Sequence, residues 1–294
     1  MNEFLTAVVT GLGVGSIYSL IALGYAFIYR TTASFNFAQG QLLTLGSLFA
    51  YTFYTGLKLP ALLVAAIVML LLAAVGGAVE RVAIFPLSRR SDDTLSWLIS
   101  TLGVAVLLTG ISGRIWGSQP LGVKNYLGPA TTHMPFADVR IPTSYVIAFA
   151  VAIIAAVGID LFQRYTLWGR AMKAVGDNRS AVELAGINVV RLGLVAFLVA
   201  GALAGLAGFV LAPVTFAQAD SGFTFTILAF AALAIGGFGS HWGALFGGLF
   251  VGVTEQVGGT YVGLNYQDLI VLGVLIVVLM IRPEGIWTAH ARSV

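Results

Sequence analysis

Apolar runs long enough to cross a lipid bilayer recur along the whole of this 294-residue chain. A helix needs roughly 20 residues, at about 1.5 Å each, to cross about 30 Å of hydrocarbon. Hydrophobic residues make up 59% of the chain and charged residues only 9%, against roughly 25% charged residues in a soluble domain. The mean hydropathy is +0.96. This pattern predicts an all-α polytopic membrane protein with one transmembrane domain over residues 1–294.

The candidate membrane spans cover about residues 5–29, 35–57, 60–80, 94–112, 143–163, 191–212, 223–238, 243–262 and 266–281. Two of them are unusual, because 35–57 carries three amides and 223–238 is short. Lipid tolerates a re-entrant half-span where its backbone is buried in protein or lines a wet cavity. Both segments fit that description as well as a full span, so we expect eight or nine transmembrane segments.

Lysine and arginine predict the orientation, because cytoplasmic loops carry an excess of both. With the N-terminus outside and nine crossings, the cytoplasmic side holds Arg30, Arg81, Arg89, Arg90, Arg164, Arg170, Lys173, Arg179, Arg191, Arg282 and Arg292. The outer side holds only Lys58, Arg114, Lys124 and Arg140. We therefore expect the N-terminus outside, the C-terminus in the cytoplasm, a cytoplasmic loop at about 164–191 and an external loop at about 113–142. This bias also explains the net charge of +3 without nucleic acid as a partner.

The tripeptide Phe-Ala-Gln occurs twice, at 37–39 and at 216–218. Internal repeats are common in transporters. Three residues match easily by chance in so restricted an alphabet, however, so this echo gives only weak support for a repeat. The external loop holds several prolines and glycines, and we expect it to be irregular, without a long helix or a separate domain.

The stretch 170–193 differs from the rest of the chain, because it is rich in charged residues. Within it, Ser180 and Glu183 have the spacing of a capping box, in which each side chain bonds the backbone N–H of the other residue. Gly186 follows where a helix C-terminus favours a positive φ. The pattern predicts a helix of about two turns between two spans. An isolated helix of that length is marginal in water, so it packs either on its own bundle or membrane surface, or on a cytoplasmic partner.

The chain lacks the usual marks of catalysis and of cofactor binding. It has no P-loop that would cradle ATP, and no cysteine. Its three histidines, His133, His241 and His290, are scattered, which argues against a metal site. No catalytic residue is predicted. The glycines of two spans have the spacing that lets helices approach closely in lipid. They are Gly11, Gly13, Gly15, Gly201, Gly205 and Gly208.

Polar side chains at membrane depth are costly and are therefore functional candidates. Asn36, Gln39 and Gln41 fall within six residues; if that segment is helical, the first two share a face and Gln41 is offset by about 160°. Glu255 and Gln256 lie in the middle of another apolar segment. These five residues are the candidates for a translocation path. Interhelical hydrogen bonding is the alternative role of the three amides, and Glu255 would meet a substrate ammonium, pair with another subunit, or stay neutral and hydrogen-bonded.

Four blocks of the chain resemble the permeases of the branched-chain amino acid family of ABC importers. The blocks are Arg170 to Asn188 with Arg191 and Phe197, Gly15 to Ser47, Gly236 to Gln256, and Arg282 to Trp287. They occur in the family's order and extend over nearly the whole chain. The family usually has a histidine and an acid where this chain has Gln39 and Gln41, so no titratable role is carried over to that point.

The resemblance implies that the 164–191 loop holds a coupling helix that contacts an ATPase subunit. The residues implied in coupling are Arg170, Lys173, Asp177, Asn178, Arg179, Glu183, Leu184 and Gly186. It also implies two cytoplasmic ATPases that carry ATP and magnesium, while this chain binds no cofactor of its own. A second permease or a second copy of this chain, an extracytoplasmic solute-binding protein and a place in the bacterial inner membrane complete the expectation.

Branched-chain amino acids are the implied solutes, with urea or short amides as alternatives within the same family. A secondary transporter or channel would show the same hydropathy, but it would place coupling charges or a carbonyl filter within the spans. This chain has few charges there. A membrane-embedded enzyme is a third class, and the sequence contains no recognisable catalytic set for it.

Overall fold

The backbone hydrogen bonds of this chain are made mainly within helices, as the hydrocarbon of a bilayer requires. A computed structural model describes residues 2–88, 94–126, 131–134 and 139–287. The first helices are α1 Asn2–Thr32, α2 Gln39–Ala50, α3 Ala61–Val79, α4 Phe85–Ser88, α5 Thr94–Trp116 and α6 Thr143–Tyr165. They are followed by α7 Leu167–Asp177, α8 Arg179–Leu184, α9 Val189–Leu211, α10 Gly222–Gly236, α11 His241–Tyr261 and α12 Gln267–Ile281.

Three helical stretches of other pitch complete these elements. A π-helical stretch, Tyr51–Gly56, extends α2, and a second, Glu80–Ile84, joins α3 to α4. A 3₁₀ turn, Leu264–Tyr266, precedes α12. In the predicted external loop, α5 continues to Trp116, and the strands β1 Thr131–Met134 and β2 Val139–Pro142 pair antiparallel. Residues 127–130 and 135–138 of that loop lie outside the described part of the chain.

Six helical stretches of the described chain are long and apolar enough to cross a membrane. They are Glu3–Thr32, Ala61–Leu87, Ser96–Trp116, Thr143–Tyr165, Val189–Leu211 and Leu264–Ile281. The all-helical class is confirmed, apart from the small hairpin. The number of eight or nine segments and the orientation stay predictions. The two segments predicted to be unusual are α2, with 12 residues followed directly by its six-residue π-helical extension, and α10, with 15 residues.

Basic side chains gather at one end of the bundle, where α7 and α8 lie. Arg30, Arg164, Arg170 and Lys173 line one cleft of about 630 Å³ there, between α1, α6, α7 and the start of α11. We call this end the basic end. Arg89, Arg90 and Arg292, which belong to the predicted charge bias, lie outside the described residues, as does the side chain of Arg140.

The helices α1 and α9 cross the bundle in opposite directions. Thr32, at the end of α1, lies against Gly193, near the start of α9, and Gly24 lies against Ala200 further along both helices. Each packs on a third helix through glycine. Gly11 and Gly15 of α1 lie against the backbone of α11, while Gly201 and Gly205 of α9 lie against the backbone of α3.

The short helix α2 begins inside the bundle. After α1 ends, the chain turns at Ala33, which has a φ of +53°, and runs back without helical structure until Gln39. The Gln39 side chain then donates a hydrogen bond of 2.8 Å, from Nε2 to the carbonyl oxygen of Ala200. Ala200 is the central residue of α9, so α2 starts at about mid-depth.

The short helix α10 also begins inside the bundle, with the opposite direction to α2. After α9 the chain pairs Ala217 with Leu121 and then brings the Ser221 hydroxyl to 3.4 Å from that of Thr44. Each Phe-Ala-Gln tripeptide thus lies just before a short helix. The arrangement α1–α2–α3 is repeated, inverted, by α9–α10–α11.

Candidate functional site

The predicted coupling loop folds into two capped helices at the basic end. The N–H of Gly169 donates to the Thr166 hydroxyl at 2.9 Å, and the N–H of Ala181 donates to Asn178 Oδ1 at 3.0 Å. Helix α9 begins in the same way, with a bond from the N–H of Arg191 to the Asn188 side chain at 3.1 Å. Side-chain oxygens of this kind satisfy N–H groups that a helix leaves free at its start.

Two details of the predicted short helix are wrong. Asn178 caps α8, and Ser180 does not, because the helix begins two residues earlier than the capping-box spacing indicates. Glu183 does not reach back to the serine; its carboxylate accepts a bond of 3.1 Å from Arg179 Nε instead. Gly186 does have the expected positive φ, +79°, and two backbone bonds close the helix end there: Gly186 N–H to Glu183 O, and Ile187 N–H to Val182 O.

The short helix α8 has one face on the bundle and one in solvent. Val182 is buried, whereas Leu184 is 90% exposed. The Arg179–Glu183 pair lies on the exposed side. A single exposed leucine is common on protein surfaces, so Leu184 bears on docking only together with the exposed apolar side chains of Leu167 and Trp168.

A groove of about 380 Å³ opens beside this helix, between α7 and the start of α9. Its walls are largely apolar: Leu167, Trp168, Ala171, Ile187 and Leu192 contribute to them. Leu167 and Trp168 are exposed, so this apolar surface is continuous with the open face of the loop.

The remaining coupling candidates connect the loop to the bundle. Arg170, Lys173 and Asp177 line the cleft at the basic end. Asp177 lies 3.8 Å from the Arg30 guanidinium at the end of α1. Gly176 lies against the Arg30 backbone, where a β-carbon would be crowded. The α7–α8 loop therefore contacts α1 directly.

The first two polar candidates of α2 bond to protein groups. Asn36 Nδ2 donates to Gln39 Oε1 at 3.3 Å, and Asn36 Oδ1 accepts the N–H of Ala38 at 3.1 Å. Gln39 also donates to Ala200, as described above. Asn36 lies before the helix, so the expectation that a helical face unites it with Gln39 is wrong; a turn brings them together. In this conformation Gln39 joins α2 to α9 and Asn36 holds the turn before α2, and a role of either amide in the path stays a prediction.

Gln41 points in another direction, towards the first turn of α10. Its carboxamide lies where a β-carbon on Gly222 would be. The side chain is buried, with 4% exposed, and no hydrogen bond to its amide is made within the described residues.

Glu255 lies on α11 beside the phenol of Tyr18 on α1. Its Oε2 atom is buried and has no hydrogen-bond partner in the part of the chain that the structure describes. Gln256 is half-buried beside it. The structure does not bring this pair together with the amides of α2, and its role in transport stays a prediction.

All six glycines predicted to allow close packing lie at helix contacts. Gly13 faces Tyr145 of α6, and Gly208 faces the backbone of α2 at Leu43. The other four face α11 or α3, as described above. At each of them a β-carbon would be crowded, by the Tyr145 side chain at Gly13 and mainly by the backbone of the neighbouring helix at the others.

Sequence reasoning missed three features of this region. One is α7, an amphipathic helix that buries Met172 and Val175. The three-residue spacing of these apolar residues is a helix signal that the sequence contains. Another is a partly exposed polar cluster in which Asp160 bonds both Arg164, at 2.7 Å, and His241, at 3.1 Å. The third is the first turn of α10, which carries no charge to draw attention to it. Among the described residues, no group of three or more His, Cys, Asp or Glu side chains is placed to hold a metal ion.

A helical bundle with long apolar helices, two inverted half-length helices and a structured loop at its basic end is the architecture of a membrane-embedded transport subunit. Residues 7–279 match the family described as branched-chain amino acid transport system / permease component. The chain belongs to this family.

Relatives match over nearly the full length. The chain is 30% identical to LivH, the high-affinity branched-chain amino acid transport system permease protein of Escherichia coli K12, over 96% of this chain and 95% of that protein. It is 32% identical to the corresponding protein BraD of Pseudomonas aeruginosa, over 97% and 95%. The solved structure of PsaBC from Streptococcus pneumoniae in complex with Fab aligns over 96% of this chain and 91% of its own, with 17% identity and a TM-score of 0.47.

Proposed function

We propose that this chain forms the path for branched-chain amino acids through an ATP-driven importer in a bacterial inner membrane. It supplies no ATPase site of its own; two cytoplasmic ATPases hydrolyse ATP with magnesium and drive alternating access. A second permease, or a second copy of this chain, completes the membrane domain. A solute-binding protein delivers the solute to the outer face. The N-terminus lies outside, and the C-terminus and the basic end lie in the cytoplasm.

The observation that carries the proposal is the α7–α8 loop, in a chain that matches the permease family from residue 7 to residue 279. Its two helices are capped, and it presents exposed Leu184 beside the Arg179–Glu183 pair. It also contacts α1 through Arg30 and Asp177. A partner that binds this loop is thereby connected to the helix that runs through the centre of the bundle.

The test is reconstitution of the chain with its membrane partner, its ATPase and its binding protein in liposomes. Uptake of labelled leucine, isoleucine or valine that requires both ATP and the binding protein supports the proposal. Uptake of leucine that an ion gradient drives without ATP contradicts it and identifies a secondary transporter. Urea or acetamide as the better competitor would keep the importer and change its solute.

A further inference from the structure

The first turns of α2 and α10 meet head to head within the bundle. We call this meeting point, residues 39–42 and 222–226, the junction. Gly40 lies so close to the carbonyl oxygen of Gly222 that a β-carbon would overlap it. The Thr226 hydroxyl lies 3.4 Å from the carbonyl oxygen of Phe37. Through the bond from Gln39 to Ala200, the junction is fixed at the middle of α9.

Neither helix that begins at the junction has a side-chain cap. Ala38 and Ser221 stand at the cap positions, and neither side chain accepts a hydrogen bond from its helix. The backbone N–H groups of Gly40, Gln41 and Gly222 make no hydrogen bond within the described residues. By contrast, α7, α8, α9 and α11, which begin at the basic end, each have a capping side chain.

Free N–H groups and the positive ends of two helix dipoles attract an anion to the junction. Inside a bilayer there is little water to satisfy them. The charged side chain nearest to either helix start in sequence is Asp220, which precedes Ser221 and is exposed. The first turns themselves, 39–42 and 222–226, contain no charged residue.

Two buried side chains without partners point to the same place. The Gln41 carboxamide, 4% exposed, lies against Gly222. The Tyr25 hydroxyl, on a side chain only 1% exposed, lies beside Thr226 and has no hydrogen-bond partner within the described chain. Buried polar groups are normally bonded, so two such groups at one point suit a ligand that accepts hydrogen bonds.

An apolar surface lies next to these donors, on the side of the basic end. The rings of Phe35 and Phe37 lie 5.4 and 5.8 Å from the ring of Phe230, and Phe238 lies 5.6 Å from Phe35. Donors beside an aromatic surface suit a small molecule with a carboxylate at one end and an aliphatic group at the other.

We propose that the junction binds the carboxylate of the transported solute at the middle of the membrane. This inference rests on the proposed function, of which it gives the recognition chemistry. The N–H groups of Gly40, Gln41 and Gly222, the Gln41 amide and the Tyr25 hydroxyl donate to the carboxylate, and the phenylalanine rings pack on the aliphatic side chain. The close contact of Gly40 and Gly222 keeps the site shut in this conformation, and α2 and α10 move apart when the solute enters.

The absence of cysteine from the chain gives a direct test. Gln41→Cys and a matched control, Gln256→Cys, are each placed in the reconstituted importer. During ATP-driven turnover, each is treated with an anionic sulfonate-bearing methanethiosulfonate or with its cationic trimethylammonium counterpart. We expect the ratio of anionic to cationic modification rates to be about tenfold higher in Gln41→Cys, because local positive potential speeds the approach of anions.

Protection identifies the ligand group. Leucine, added with its binding protein, should slow modification of Gln41→Cys, and leucinamide, which lacks the carboxylate, should not. Equal rates for the two reagents, equal protection by both compounds, or no modification while transport proceeds would each overturn the junction site. These outcomes leave the importer function intact, whereas a wild-type complex that shows no ATP-dependent uptake of leucine overturns the proposed function itself.

Tyr25→Phe gives an independent measurement that needs no cysteine. The substitution removes one buried hydroxyl that has no partner in this conformation, so the thermal stability of the complex should be unchanged or higher. We expect KM for leucine uptake to rise about tenfold or more, as when one hydrogen bond to a charged group, worth about 1.5 kcal/mol or more, is lost. An unchanged KM would count against the site.

Discussion

The α7–α8 loop and the junction differ in how the backbone N–H groups at their helix starts are bonded. In the loop, Thr166, Asn178 and Asn188 cap successive helices, and Arg179 pairs with Glu183 in solvent. At the junction, two helices begin without caps, and glycine brings their backbones together. The loop is stable as it stands and offers an exposed surface, while the junction keeps unsatisfied groups in the interior.

The difference is consistent with the two proposed roles, a rigid docking element in the loop and a movable binding element at the junction. A loop whose helices are capped and ion-paired can move as a unit, without unfolding, when a partner displaces it. A contact between two glycine-bearing helix starts, with little side-chain interlocking, separates at lower cost. In both places the local sequence differs from the apolar remainder of the chain. The loop is rich in charged residues, and the junction is rich in amides and glycine.

The largest effect is expected from filling the close contact between α1 and α11. Gly248→Val would drive a side chain into the backbone of α1 at Ser19, whereas Gly158→Val on α6 meets no atom within 4 Å. We expect the first substitution to destabilise the protein by about 3 kcal/mol, the upper end for overpacking, and the second by less than about 1 kcal/mol. Thermal unfolding in detergent, followed by tryptophan fluorescence, checks both. Similar unfolding temperatures for the two variants would show that α1 and α11 are not closely packed.

The amides at the start of α2 should be costly to remove. Gln39→Leu deletes the donor to Ala200 and the acceptor of Asn36, and leaves buried partners unsatisfied. We expect a loss of about 2 kcal/mol, within the range of about 1–3 kcal/mol for such groups. Gln256→Leu, on a half-buried side chain, should cost less than about 0.5 kcal/mol. Urea unfolding of the two purified variants gives the comparison, and an equal loss in both would contradict it.

Reversing the charges of α8 should affect coupling and leave folding unchanged. Arg179→Glu combined with Glu183→Arg keeps an ion pair four residues apart but exchanges the signs that a partner meets. We expect ATP hydrolysis stimulated by the loaded binding protein to fall about tenfold, as when a docking contact worth about 1.4 kcal/mol is lost, with stability within about 0.5 kcal/mol of the original. Normal uptake in this double variant would exclude the loop as the docking site.

The smallest effect separates the real cap of α8 from the predicted one. Asn178→Ala should cost about 1 kcal/mol of local helix stability, seen as faster hydrogen exchange at Ala181, Val182 and Ala185. Ser180→Ala should leave that exchange within about twofold of the original, because its hydroxyl caps nothing. Equal acceleration of hydrogen exchange in both variants would show that Ser180 also caps the helix, as the capping box predicts.

The sequence was sufficient for the class of the fold and for most helix positions, because apolar length and charge decide them locally. The sequence also predicted the positive φ of Gly186 correctly, because a glycine just after a short helix commonly ends it in this conformation. It failed for Asn178, because Ser180 and Glu183 offered a second plausible helix start two residues later. The sequence also contains no indication of Tyr25. Its proposed role depends on its position beside Thr226, which is 201 residues away in the sequence, and no local pattern predicts a contact between them.

The long helix α1 carries a mechanical consequence. Its 31 residues form one unbroken rod of about 46 Å. Arg30, which meets Asp177 of the coupling loop, and Tyr25, which faces the junction, stand five residues apart on it, or about 7–8 Å. A displacement of the loop by a few ångströms therefore reaches Tyr25, beside the junction, within one and a half helical turns, and so short a length of helix bends too little to absorb it. In the proposed mechanism, the single helix α1 therefore connects the α7–α8 loop with the junction directly, without a chain of intermediate residues.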